Sequence, residues 1–327
     1  MSVDAFAVAS DTGRKRRRNE DNYVAEPPLF AVADGMGGAQ AGEVASKLAA
    51  STLENGRDGP LRGLERVAAL IQEANRRVYE RATSDPAASG MGTTMTVALV
   101  EGHTVTIGHV GDSRAYLVRD GRMEQLTDDH SLVNELLKSG KLSPEEAEAH
   151  PQRSVITRAV GTDPDVDVDA FTIEAHDGDV FLLCSDGLTD MVEDVDILEL
   201  VDKNRDDLDR AVKSLVAAAN RGGGEDNITA VAFRIGPDRA DTEATARMAA
   251  VEPDERTREA IEPEPPVDTM VIPPERIEQE LLEPGSREAR AAARREPVDT
   301  TSRVRLALTM LVLLAIAVVL LVWGLVR

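Results

Sequence analysis

Cysteine is almost missing from this chain of 327 residues: there is one, Cys184, so no internal disulfide can form. It lies in the apolar run 180–184, where a thiol reads as a small buried hydrophobe, and a cytosolic setting for the surrounding domain fits. Positive charge is also short. The 37 Lys and Arg against 59 Asp and Glu leave a formal net charge of −22. That argues against nucleic acid as a partner, because affinity for it comes mainly from cations that neutralise phosphates. Residues 1–10 have neither a basic leading region nor a long apolar core, so no secretory leader is expected.

What the chain does have is a set of aspartates at the ends of apolar runs. Asp34 follows the run 29–33 and Asp186 follows the run 180–184, each aspartate being succeeded by a glycine that allows a sharp turn. Short runs rich in β-formers read as buried strands. A third aspartate, Asp226, precedes the run 228–235 and so falls at a strand's beginning. If the strands are antiparallel, all three carboxylates meet at one edge. Hard divalent cations prefer such oxygen ligands, and three or four aspartates suit a two-metal cluster. Taken singly, each Asp-Gly pair also fits an ordinary turn.

Strand-like runs at 93–100, 104–110 and 115–118 follow two amphipathic helices expected at 39–53 and 61–82. This grouping, in place of regular strand–helix alternation, predicts an α+β fold with largely antiparallel sheets. Two further short helices are expected at 131–140 and 143–150, the second with Pro144 and an acidic first turn as start signals. The acidic stretch 163–169 reads as a solvated loop.

The motifs RRRNED at 16–21, DGMGG at 34–38, GMGTT at 90–94, GDSR at 111–114, SDG at 185–187 and EDN at 225–227 occur in one order over the region from Val3 to about Ile235. Together they resemble the metal-dependent PPM (type 2C) serine/threonine protein phosphatases, in particular the bacterial, membrane-anchored branch. The resemblance implies a four-layer α-β-β-α sandwich of antiparallel sheets with two Mn²⁺ or Mg²⁺ at one end. It implies that Asp34 bridges the two ions, that the Gly35 carbonyl ligates the first, and that Asp186 and Asp226 complete the second. Asp112 would serve a third, weaker divalent ion shared with Asp186, with Ser154 of the flap at about 130–165 reaching it. Asp21 and Asn227 would support the site from behind. Arg16 matches the arginine that grips the substrate phosphate, while Arg14, Lys15, Arg17 and Arg18 read as loop charge that could also steer phosphopeptides.

On that reading the chain hydrolyses phosphoserine and phosphothreonine. Water shared by two divalent ions has a strongly lowered pKa, and the resulting hydroxide attacks phosphorus without a side-chain nucleophile. One position departs from the family's eukaryotic pattern, since Met36 stands where those members have a histidine taken as the acid for the leaving oxygen. Of five histidines, His109 and His130 lie nearest in sequence to active-site segments, and His109 reads as a satisfied strand-end residue. The other class of function is a catalytically inactive phosphoprotein-binding module of the same fold, which the intact Asp34, Asp186 and Asp226 speak against.

Beyond the catalytic region (1–236), residues 237–303 are rich in Glu, Pro, Ala and Arg and read as a disordered linker. Within it Thr269, with Ile272 three residues on, resembles a phosphothreonine ligand of forkhead-associated domains; Thr300 and Thr301 are further candidates. Residues 304–327 contain an uncharged apolar stretch of the length that spans a bilayer. Six arginines between 287 and 305 precede the span and only Arg327 follows it. A single-pass protein of the cytoplasmic membrane is expected, with its catalytic domain on the cytoplasmic side near Ser/Thr kinases.

Overall fold

The computed structural model of the chain describes residues 2–37, 41–56, 59–148, 150–237 and 246–248. These belong to one compact unit, Met1–Pro273. Its elements run β1 (Ser2–Asp11), β2 (Asp21–Glu26), β3 (Leu29–Met36), α1 (Ala41–Gly56), α2 (Gly63–Ser84), β4 (Gly92–Thr93), β5 (Met95–Glu101), β6 (Thr104–Val110), β7 (Arg114–Arg119) and β8 (Arg122–Gln125). They continue with α3 (Leu132–Lys138), α4 (Pro144–Glu148), β9 (Asp169–Glu174), β10 (Val180–Cys184), α5 (Asp186–Thr189), α6 (Asp194–Lys203), α7 (Leu208–Gly222), β11 (Ile228–Gly236) and β12 (Ala246–Met248).

Two sheets result, β12-β1-β11-β10-β7-β8 and β2-β3-β5-β6-β9. Every pairing is antiparallel except β1 with β12. The apolar runs are continuous because both faces of the central strands are covered, with successive side chains pointing to opposite faces. In β3, Leu29, Ala31 and Ala33 face the helical side while Phe30 and Val32 face the other sheet. In β10, Val180, Leu182 and Cys184 face α6 and α7 whereas Phe181 and Leu183 enter the space between the sheets.

Three cores therefore stack as four layers. Small residues of α1, among them Ala45 and Ala49, let that helix lie close on the second sheet together with Val67, Ile71 and Val78 of α2. On the far side Ile197 and Val201 of α6 and Val212, Leu215 and Ala219 of α7 cover the first sheet. All five phenylalanines occupy the inter-sheet core, and Phe233 stacks on both Phe30 at 4.3 Å and Phe181 at 5.1 Å. Losing a ring such as Phe233 costs about 3–5 kcal/mol.

The stretch 163–169 is the surface loop expected from its charge, its carboxylates exposed, and its backbone is anchored to α2 before it enters β9. Asn75 of α2 donates to the carbonyls of Asp163 and Pro164 at 3.1 Å each and accepts from the Gly161 N–H at 2.7 Å, while Val166 is buried and Asp169 opens β9. Backbone hydrogen bonding to the buried Asn75 amide thus anchors the loop while its carboxylates remain at the surface. Of the segment expected as a linker, all but its first residue and the three of β12 lies outside the described residues, as do Thr269, Thr300, Thr301 and the span expected at 304–327. Among the described residues no helix is long and apolar enough to cross a membrane.

Candidate metal centre

Antiparallel pairing places the strand ends that carry the aspartates at one edge of the sandwich. Asp34 lies in β3 opposite Asp21 of β2. Asp186 begins α5 directly after β10, and Asp226 precedes β11, the strand paired with β10. Asp112 sits in the turn from β6 to β7. Asp34, Gly35, Asp112, Asp186 and Asp226 all line one cleft of about 700 Å³, and Arg16, Glu20, Met36 and Asn227 line it with them.

The loop 12–20 is held over this edge by Asn227, whose Nδ2 donates to the carbonyls of Thr12 (2.9 Å) and Arg18 (2.8 Å) and whose Oδ1 accepts from the Glu20 N–H (2.7 Å). Arg16 is thereby brought inward, and its Nη2 donates to Asp226 Oδ2 at 2.7 Å. Burial works against the Arg16 charge, but Asp226, Asp34 and Asp186 outweigh it and raise its pKa. The GMGTT motif backs Asp34. Its N–H donates to Thr94 Oγ1 at 2.9 Å, and its carbonyl accepts from the Thr94 N–H and the Thr93 hydroxyl. Gly35 needs to lack a side chain, since a Cβ there would stand 2.1 Å from the Gly42 carbonyl of α1.

These carboxylates are crowded, with Arg16 on Asp226 offsetting only part of their charge. Burial, followed by repulsion from Asp21, Asp186, Asp226 and Asp112, holds the Asp34 pKa well above the carboxylate range. Burial together with Asp112 and Asp226 does the same for Asp186. Burial lifts Asp112 to about 7, aided by Asp129 and Asp190, and lifts Asp21 to about 6. Asp21 Oδ2 accepts from Ser185 Oγ at 2.8 Å, but Asp21 Oδ1, Asp112 Oδ1 and Asp186 Oδ1 are buried without any hydrogen-bond partner. Orphaned anionic oxygens around one cleft are the donor set that hard divalent cations need. Among the described residues no three of these side chains stand close enough together to hold an ion as they are placed.

The remaining expected residues fall differently. Ser154 lies in a half-buried turn and does not line the cleft, although its neighbour Arg153 reaches Asp190 at 3.8 Å. Of the basic run, Arg14 donates to the Asn220 carbonyl and Arg18 stands 3.9 Å from Glu43, while Lys15 and Arg17 are exposed. His109 is buried, with Nδ1 2.9 Å from Thr96 Oγ1 and Nε2 3.1 Å from the Asp128 carbonyl, so it is a satisfied structural residue. Burial drops its pKa to about 3. Neither His109 nor His130 lines the cleft. Residues missed by sequence reasoning include Glu20, Thr94 and Asp163 on the cleft wall. Glu20 and Thr94 had a signal available, since both lie inside motifs already noted.

The protein phosphatase 2C family model matches residues 14–227. The chain is 42% identical over 228 residues to the serine/threonine protein phosphatase PstP of Mycobacterium tuberculosis, covering 69% of this chain and 44% of that protein. The chain thus spans under half of that relative's length. It is 41% identical over 231 residues to the serine/threonine phosphatase stp of Listeria innocua, covering 67% of this chain and 91% of that protein. The crystal structure of the catalytic domain of PstP in complex with two manganese ions superposes with a TM-score of 0.67 at 38% identity, covering 72% of this chain and all of that one.

Proposed function

The chain belongs to the protein phosphatase 2C family, and on that premise we propose that it hydrolyses phosphoserine and phosphothreonine in proteins with two Mn²⁺ or Mg²⁺ ions. The observation that carries this reading is the convergence of Asp34, Asp112, Asp186 and Asp226 on one cleft beside Arg16, with buried carboxylate oxygens left unpartnered. Asp34, the Gly35 carbonyl, Asp186 and Asp226 would hold the two ions, and Asp112 with Asp186 a third. Bound divalent cations supply a nucleophile from water near neutral pH and neutralise the phosphate.

The chain's own residues do the rest. Arg16 offers the planar fork that suits a phosphate, and the Asn227 hydrogen bonds hold its loop in reach. Asp21, anchored by Ser185, supports Asp34 from behind the cleft. Met36 lines the cleft and carries no proton to give. No histidine is among the described lining residues, so the proton for the leaving serine or threonine oxygen would come from water or from another residue of the cleft.

The finer reading places this activity at the cytoplasmic membrane, on phosphoproteins made by nearby Ser/Thr kinases. The apolar stretch within 304–327 and the arginines before it support a single span with the catalytic domain inside the cell. Phosphorylated Thr269 would offer a forkhead-associated domain a ligand. The test of the activity is phosphate release from a phosphothreonine peptide by the full chain in detergent with Mn²⁺. EDTA abolishes the release on this reading, and turnover that survives EDTA contradicts it.

A further inference from the structure

The turn that carries Asp112 has anchors on both sides. On one side Ser113 is fixed to the sheet, its hydroxyl 2.8 Å from Thr94 Oγ1 and its carbonyl accepting from Thr96 Oγ1 at 3.0 Å. On the other side stands Gly111, at φ +113°, with no room for a side chain because a Cβ would meet Thr94 at 2.6 Å. Both backbone groups of Gly111 go to one residue 19 positions away. Its N–H donates to His130 Nδ1 at 3.0 Å, and its carbonyl accepts from the His130 N–H at 2.7 Å.

The chemistry of the ring follows from that contact. A nitrogen that accepts from an N–H bears no proton, so the ring is neutral and its proton is on Nε2. Nε2–H then donates to Asp169 Oδ2, 3.2 Å away on β9. Arg158 Nη1 holds the other oxygen of Asp169 at 2.6 Å, so its 3.1 Å approach to His130 Nε2 is that of two donors sharing one carboxylate. Burial lowers the His130 pKa, in keeping with an uncharged ring. The ring lies 4.7 Å from that of His109, whose nitrogens are already engaged.

We propose that His130 is the positioning residue of Asp112, its neutral ring holding the 111–113 turn so that the Asp112 carboxylate is aimed into the cleft. This rests on the reading of Asp112 as a ligand of the weaker divalent ion. Asp112 Oδ1 is buried and unpartnered, and the hydrogen bond its carboxylate does make is to its own backbone, so the backbone of the turn sets its aim. Groups that orient a ligand in this way usually set metal affinity by tenfold to a hundredfold.

Two isosteric variants separate positioning from packing. In His130→Asn the amide oxygen takes the place of Nδ1 and still accepts from Gly111, whereas the contact with Asp169 is lost. In His130→Gln the amide nitrogen takes the place of Nε2 and reaches Asp169, whereas Gly111 loses its acceptor. Mn²⁺ binding to the full chain in detergent is followed by calorimetry, with thermal melts checking that each variant is folded. His130→Gln weakens the weakest Mn²⁺ step about tenfold and leaves the tighter steps alone, and His130→Asn stays within about threefold of wild type. Asp112→Asn removes that step, and adding His130→Gln to it changes nothing further. Equal losses in both histidine variants, or wild-type binding by His130→Gln while Asp112→Asn removes the step, overturn the role of His130. An unchanged weakest step in Asp112→Asn instead overturns the reading of Asp112 as a ligand, and the proposal with it.

Discussion

Arg16 Nη2 lies 2.7 Å from Asp226 Oδ2, so the side chain read as the phosphate clamp is also paired with a candidate metal ligand. A guanidinium there competes with a divalent ion for Asp226, and once the ion takes Asp226 the fork is free to turn to phosphate. Arg16→Ala should therefore lower kcat/KM for a phosphothreonine peptide by roughly tenfold to a hundredfold, the scale of a charge-assisted hydrogen-bonded pair. Mn²⁺ should bind Arg16→Ala at least as tightly as wild type, by calorimetry. Weaker Mn²⁺ binding would mean that Arg16 supports the ions instead of competing with them.

The pH dependence of metal stabilisation follows from Asp21, at about 6, and Asp112, at about 7. Both lie above the ordinary carboxylate value, so between roughly pH 4 and pH 7 the native metal-free protein binds protons that the unfolded chain does not. Stability therefore falls as pH rises through that window. Ions that take up the charge relieve the penalty. The gain in Tm on adding Mn²⁺ should be larger at about pH 7.5 than at about pH 5.5, and Asp112→Asn should raise the metal-free Tm at the higher pH. Calorimetric melts with equal gains at the two pH values would contradict this.

Met36 lies in the cleft but has no proton to donate. Met36→His should leave kcat within about tenfold of wild type, roughly 1.4 kcal/mol. A much larger gain, measured with a phosphothreonine peptide across pH, would show that proton delivery to the leaving oxygen limits the natural enzyme.

Topology is open to a direct test. Protease added outside intact cells should leave the 1–236 region uncut, since the arginines before the apolar stretch predict a cytoplasmic catalytic domain. Digestion of that region from outside would reverse the orientation.

What could be read in the sequence was local. The runs before Asp34 and Asp186, and the run after Asp226, announced β3, β10 and β11, and their Asp-Gly or Asp-Asn neighbours announced the metal edge. The edge strand β9 was not legible, because its side chains are only partly buried or exposed and show no clear alternation. The helices α6 and α7 are not among the expected elements, although α7 has a legible start, with Asp207 accepting from the Arg210 N–H. Hydrogen bonds between distant residues leave no spacing to read. Asn227 gathering the 12–20 loop, Asn75 pinning 161–164 and His130 holding Gly111 all join residues that only the fold makes neighbours.

The central claim is that Asp34 is shared by two divalent ions whose other ligands are Gly35, Asp186 and Asp226. Anomalous diffraction at the manganese edge, from crystals grown with Mn²⁺, tests it most directly. Two peaks in the cleft, both touching the Asp34 carboxylate and absent from crystals of Asp34→Asn, are the expected result. Manganese bound away from Asp34, or two peaks that persist in Asp34→Asn, would contradict the account.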